Sequence, residues 1–212
     1  KMQFFNPNKS MSKDRVPWNK GEVVGQKPPL TLKDVWSIRS ILKLEGVCRD
    51  LAMFNLAIDS KLRACDLVRL KVSDVAIGSQ INSRAVIKQL KTGHRVQFEI
   101  TEQTREALSK WVLKSDANCE GYLFPSSTNS AKHLSTRQYA RLASRWFSVI
   151  GLDARVYGTH TLRRTKASHI YRKTGNIRAV QLLLGHTKLE STVRYLGIEV
   201  EDALTISEEI DF

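Results

Sequence analysis

Residues 182–196 read LLLGHTKLESTVRYL, and this string decides the fold. Leu182, Leu183 and Leu184 close a helix that Gly185 stops, because glycine accepts the left-handed backbone a helix end demands. His186 follows at once, a polar turn intervenes, and Tyr195 falls nine residues later on a second short helix expected over 190–196. Core packing accounts for the leucines and a C-cap accounts for Gly185. Neither accounts for the whole string.

Three upstream segments carry related chemistry. Residues 158–164 read GTHTLRR, at the start of a helix expected over 160–173 and ended by Gly175. His160 and Arg163 are three apart, which places them on one helix face, close enough to grip one phosphate. Residues 90–100 read LKTGHRVQFEI and put Lys91 beside a turn at Thr92, Gly93 and His94. Residues 60–70 read SKLRACDLVRL, so Arg63 follows a helix expected over 47–59 that is apolar on most sides. Asp66 and Leu67 stand behind it. Any one of these patterns is common; their succession is not.

Arg63, Lys91, His160, Arg163, His186 and Tyr195 occur in the order and at the spacing that resemble the tyrosine recombinases, the phage integrase family. The resemblance covers roughly residues 30–197 and implies a recombinase catalytic domain. It implies a site-specific enzyme that cleaves and rejoins DNA through a 3′-phosphotyrosyl bond at Tyr195. Elementary chemistry supports the same roles. Phosphodiester transesterification develops charge on the non-bridging oxygens, which two guanidiniums and an imidazole can clamp. Only about one free phenol in a thousand is ionised at pH 7, so the nucleophile needs a base, and His160 is the candidate. The departing 5′-oxygen needs a proton, which a lysine can supply, so Lys91 is the candidate acid. His186 is expected to donate to the scissile phosphate, and Asp66 to pair with or orient Arg63. No metal or cofactor is called for, because side chains supply the charge stabilisation. His94, Arg95 and Arg164 are weaker candidates for DNA contacts. Three departures stand out: Lys61 where the family usually has Gly, Asp66 where it has Glu, and Arg164 where many relatives carry His.

The charge distribution points the same way. Lys and Arg total 34 against 21 Asp and Glu, a net of +13. Residues 196–212 hold six of the acids and no Lys or Arg, leaving residues 1–195 at +19. A body this basic favours polyanions, and the resemblance implies double-stranded DNA as the partner. The resemblance implies a monomer in solution, a tetramer on DNA, and a bacterial or phage origin. Cys48, Cys65 and Cys119 lack metal-ligand spacing, and no long apolar run or leader is visible, which fits a cytoplasmic protein with reduced thiols.

The class expected is α+β, mostly helical, with one small antiparallel sheet. Thr31 with Asp34 looks like a capping box opening the first helix. Residues 72–77, 84–90 and 95–100 are rich in β-formers. Helices follow over 102–114, 135–149 and 177–184. Residues 1–29 look like an extended basic arm or linker, 30–197 the catalytic domain, and 198–212 an acidic tail suited to docking on a neighbouring protomer. Trp18, Trp36, Trp111 and Trp146 are expected in the core or half-buried, and His133 and His169 in structural roles. Only about thirty residues precede the first helix, too few for the helical domain that most of the family carries there. The chain therefore reads as the catalytic half of a longer protein, or as a compact recombinase resembling the fimbrial-switch invertases. Three other functions share some of these features. They are a non-catalytic DNA-binding regulator on the same fold, a type IB topoisomerase, and an RNA-binding module, which has no need of the six residues. No zinc-finger or bZIP pattern is present.

Overall fold

Helices begin where the sequence supplies caps. In the computed structural model, which describes residues 25–115 and 118–198 and positions 204, 207 and 208, Thr31 opens α1 (Leu32–Leu44) with the expected capping box. Its hydroxyl accepts from Asp34 N at 3.1 Å while the Asp34 carboxylate accepts from Thr31 N at 2.9 Å. The Ser135 side chain caps α6 (Thr136–Ser148) by accepting from Gln138 N, and that of Asn176 caps α8 (Ile177–Leu184) by accepting from Ala179 N. Gly175 and Gly185, both left-handed, end α7 (Thr159–Thr174) and α8. The remaining helices are α2 (Cys48–Ser60), α3 (Ala64–Leu67), α4 (Val72–Val75), α5 (Glu102–Ser115) and α9 (Leu189–Leu196).

The core forms around α2, which is buried on every side from Ala52 to Ser60 and packs against α1, α5 and α7. Phe54, Tyr139 and Trp146 meet edge to face at its centre. Asp50, fully buried on α2, binds Arg145 at 2.6 Å and Trp146 Nε1 at 3.1 Å, which ties α2 to α6. A second, much smaller cluster of Ala167, Val180 and Leu184 joins α7 to α8, and Tyr195 and Leu196 of α9 rest on it.

The sheet differs from expectation. Residues 72–77 are mostly helical: Lys71 N donates to the Asp74 carboxylate at 2.8 Å and starts the one-turn α4, which buries Val72 and Val75. Only β1 (Ala76–Ile77) is extended, and it pairs with β2 (Gln80–Ile81). The hairpin of β3 (Arg84–Lys88) and β4 (Arg95–Glu99) stands apart, with Ala85 opposite Phe98 and Ile87 opposite Val96. The described residues therefore hold two separate two-stranded sheets. Trp36 is 58% exposed rather than buried, with the Arg39 guanidinium 5.7 Å from its ring. Trp111 is half-buried and Trp146 fully buried, while Trp18 lies outside the described residues.

Most of the proposed arm also lies outside the described residues. What is described, 25–30, crosses α7 and reaches α9. Leu30 N donates to Thr165 Oγ1 at 3.0 Å, Lys27 O accepts from Arg164 Nη1 at 2.8 Å, and the Gln26 amide donates to the Arg194 carbonyl. His169 donates to Leu30 O, and His133 bonds Leu134 O and meets Tyr122 edge to face, so both hold the fold together as expected. Cys48, Cys65 and Cys119 are free thiols. No described helix is long and apolar enough to cross a membrane.

Candidate active site

Arg63 owes its position to a reversal at the end of α2. Lys61 takes the left-handed conformation (φ 54°), the one non-glycine residue among those described to do so. Its side chain, fully buried, pairs with Glu99 at 2.9 Å, and Lys166 joins the same carboxylate and Asp59 at 2.7 and 2.6 Å. Those ion pairs hold the lysine where a glycine would otherwise be the easy residue. The Lys61 carbonyl turns inward and accepts from Arg163 Nη1 at 2.7 Å. Arg63 follows as the extended cap of α3 and donates through Nη1 to Gln89 Oε1 at 2.7 Å.

Arg163, 3% exposed on α7, donates a second bond to Leu184 O at 2.9 Å. Leu184 is the last residue of α8, so the same carbonyl that ends the helix anchors the arginine. Gly185 then turns the chain at φ 66° in a space where a Cβ would stand 2.5 Å from Val96 Cγ2. His186 lands with its ring 5.4 Å from that of Tyr195, edge to face, and with Nδ1 3.1 Å from Thr192 Oγ1.

A cavity of about 320 Å³ gathers Arg63, Thr92, His160, Arg163, Gly185, His186, Ser191 and Tyr195. A larger one of about 650 Å³ adjoins it, lined by Gln26, Lys27, Arg164, Lys188 and Arg194 and sharing His160 and Tyr195. The Tyr195 hydroxyl is buried and has no hydrogen-bond partner. Burial pushes this phenol up to about 12, against the pull of Arg163 and Arg164. Their guanidiniums lie 5.8 and 5.5 Å from the centre of its ring, and Arg163 is the stronger influence on the oxygen. Burial, Arg163 and Arg63 bring His186 down to about 4. Partial burial of the His160 ring, then Arg163, Arg63, Arg164 and Lys91, lower His160 below its ordinary value. Both imidazoles are therefore neutral at pH 7. The cavity has cationic walls, two neutral imidazoles and a phenol, an arrangement suited to holding a phosphate.

The structure thus brings together Arg63, His160, Arg163, His186 and Tyr195. Lys91 sits exposed on the hairpin turn next to Thr92, which lines the cavity, and His94 and Arg95 are exposed on the same hairpin. One expectation is corrected in part. Asp66 does not pair with Arg63: its Oδ1 accepts from Leu90 N at 2.8 Å, so it holds the hairpin, and its Oδ2 is buried without a partner. Arg164 is 6% exposed, bonded to Lys27 O and set against Tyr195, and it lines the larger cavity. Gln89, which receives Arg63, was missed. The alternation along β3 carries it inward with Ala85 and Ile87, and a glutamine in that phase was the available signal.

A domain of this fold, with a tyrosine set among two arginines and two histidines, falls in a class that handles phosphate esters. The chain belongs to the Phage integrase family, whose profile matches residues 30–201. It is 31% identical over 173 residues to a probable integrase/recombinase, YoeC, of Bacillus subtilis (strain 168), covering 78% of this chain and 91% of that one. It is also 31% identical over 175 residues to the tyrosine recombinase XerC of Shewanella sp. (strain ANA-3), covering 79% of this chain and 56% of that one. The chain therefore spans about half the length of its XerC relative. Among solved structures, XerA recombinase superposes with a TM-score of 0.71 at 20% identity, over 88% of this chain and 67% of that one. XerH recombinase bound to its difH substrate gives 0.67 at 19%, over 87% and 56%.

Proposed function

We propose that this chain is the catalytic part of a site-specific recombinase that cleaves and rejoins double-stranded DNA through Tyr195. The observation that carries the proposal is the buried, unpartnered Tyr195 hydroxyl in a cavity walled by Arg63, Arg163, His160 and His186. A buried polar atom without a partner is costly, and a phosphate oxygen is the ligand these walls are built to receive. That XerH and a Tn1549 transposon integrase share the fold in complexes with DNA supports the choice of polymer.

Arg63 and Arg163 hold the non-bridging oxygens of the scissile phosphate, each with one side of its guanidinium already fixed by protein acceptors. His186 Nδ1 and Thr192 Oγ1 share a hydrogen bond, and in the tautomer where the hydroxyl donates, neutral His186 carries its proton on Nε2, available to the same phosphate. With a phenol near 12, only about one molecule in 10⁵ is ionised at pH 7. Attack therefore needs a base at the moment of bond formation, and neutral His160 takes the proton. As the Tyr195 oxygen bonds to phosphorus, the P–O5′ bond breaks and Lys91 protonates the departing 5′-oxygen. The 3′-phosphotyrosyl bond conserves the energy of the broken linkage, so a 5′-hydroxyl reverses the steps without ATP. The chain acts as a monomer free in solution and as a tetramer on DNA, in the cytoplasm.

Covalent trapping tests this. With nicked duplex in EDTA, denatured samples should contain a protein–DNA adduct that disappears in Tyr195→Phe. Arg163→Ala should form it roughly 10²–10³ times more slowly. No adduct on a site the chain demonstrably occupies would make it a DNA-binding regulator instead.

A further inference from the structure

We infer that Gln89 is a positioning residue that sets Arg63 against Arg163; the inference rests on the recombinase function proposed above. Gln89 is 1% exposed, and both ends of its amide are used. Oε1 accepts from Arg63 Nη1 at 2.7 Å and from Thr92 Oγ1 at 2.9 Å. Nε2 donates to Leu184 O at 3.2 Å, the carbonyl that also accepts from Arg163 Nη2 at 2.9 Å. A guanidinium cannot accept, so the orientation of the amide is fixed by Arg63. One side chain thus joins the hairpin turn, the first arginine and the anchor of the second. Its main chain closes the same turn, donating to His94 O and accepting from Gly93 N, each at 2.9 Å.

No other side chain of this length meets these demands. Glutamate lacks the donor for Leu184, and methionine lacks donor and acceptor. Without Gln89, Arg63 keeps its charge but loses the acceptor that fixes one of its nitrogens, and the phosphate grip becomes a matter of chance orientation. The effect belongs to the chemical step rather than to DNA affinity.

The test compares single-turnover adduct formation by wild type, Gln89→Met, Arg63→Ala and the double variant, each confirmed folded by circular dichroism. Gln89→Met should cleave about 10–10² times more slowly with duplex affinity unchanged. In the double variant the loss should fall well short of the product of the two single losses, because Gln89 acts mainly through Arg63. A second substrate carries sulfur in place of the 5′-bridging oxygen, a leaving group that departs without a proton. It should restore Lys91→Ala and leave Gln89→Met slow. Wild-type cleavage by Gln89→Met, a double variant slower than Arg63→Ala by the full factor, or rescue of Gln89→Met by sulfur would each overturn the inference. A wild-type chain that forms no adduct on DNA it occupies would instead sink the recombinase reading, and this inference with it.

Discussion

The Tyr195 hydroxyl is poised at a cost to the free chain. It is buried, and it makes no hydrogen bond of ordinary geometry. Leaving a hydroxyl in that state costs about 1–3 kcal/mol. Phenylalanine keeps the ring, its edge-to-face contact with His186 and the nearby guanidiniums, and removes only the orphaned oxygen. Tyr195→Phe should therefore stabilise the DNA-free chain by about 1 kcal/mol while abolishing the adduct, read as a higher urea midpoint with an unchanged slope. A lower midpoint would mean that the hydroxyl has a partner in solution. At this scale much was legible. Arg63, His160, Arg163, His186 and Tyr195 announce themselves through a family pattern, and the structure puts all five around one cavity. Their supports were less legible. Asp66 stands where the family pattern has Glu, which suggests a residue that pairs with or orients Arg63. The partner is Gln89, brought by a hairpin that returns from a distance, and such contacts leave only a faint mark in the burial phase of a strand.

Among the elements, α8 and its ending govern the geometry most. Gly185 must be left-handed, and a Cβ there would stand 2.5 Å from Val96 Cγ2 and 3.1 Å from Gln89 Nε2. Gly185→Ala combines backbone strain with displacement of the hairpin, together about 2–4 kcal/mol. We expect a lower thermal midpoint and a cleavage rate reduced beyond what the loss of folded chain explains, since His186, Gln89 and the Leu184 carbonyl all shift. Cleavage measured per folded molecule would separate the two effects, and a rate equal to wild type on that basis would contradict the account. Helix ends such as these were readable because caps are local: Thr31, Ser135, Asn176, Gly175 and Gly185 each act within a few residues. Residues 72–77 misled because Val72 and Val75 suit a strand and a buried helical turn equally, and an Asp74 cap decided for the turn. The helix that carries Tyr195 is lightly held, resting on a cluster of three fully buried residues and on residues 25–30. Few buried apolar contacts make α9 an element that can shift when DNA arrives.

For the whole molecule the decisive property is charge. The net of +13 conceals a C-terminal stretch that carries six acids and no Lys or Arg beyond Tyr195. Phosphates bound by lysine and arginine release condensed counterions, so affinity for duplex DNA must fall steeply with salt. Between about 50 and 200 mM salt we expect a loss of about 10²-fold or more, measured by fluorescence anisotropy. Deleting residues 200–212 removes five acids and no base, taking the net charge from +13 to +18. Affinity of a single copy for DNA should then rise at low salt, because the net positive charge of the chain is larger. The docking expectation for this tail, which falls almost wholly outside the described residues, adds a second and separable outcome. A tail that seats on a neighbouring copy is needed for assemblies of several copies but not for the first to bind. Its deletion should raise single-copy affinity while removing the slower-migrating complexes in a band-shift titration. Tighter binding with those complexes retained would leave the tail an electrostatic brake alone, and no change in either would deny it both roles.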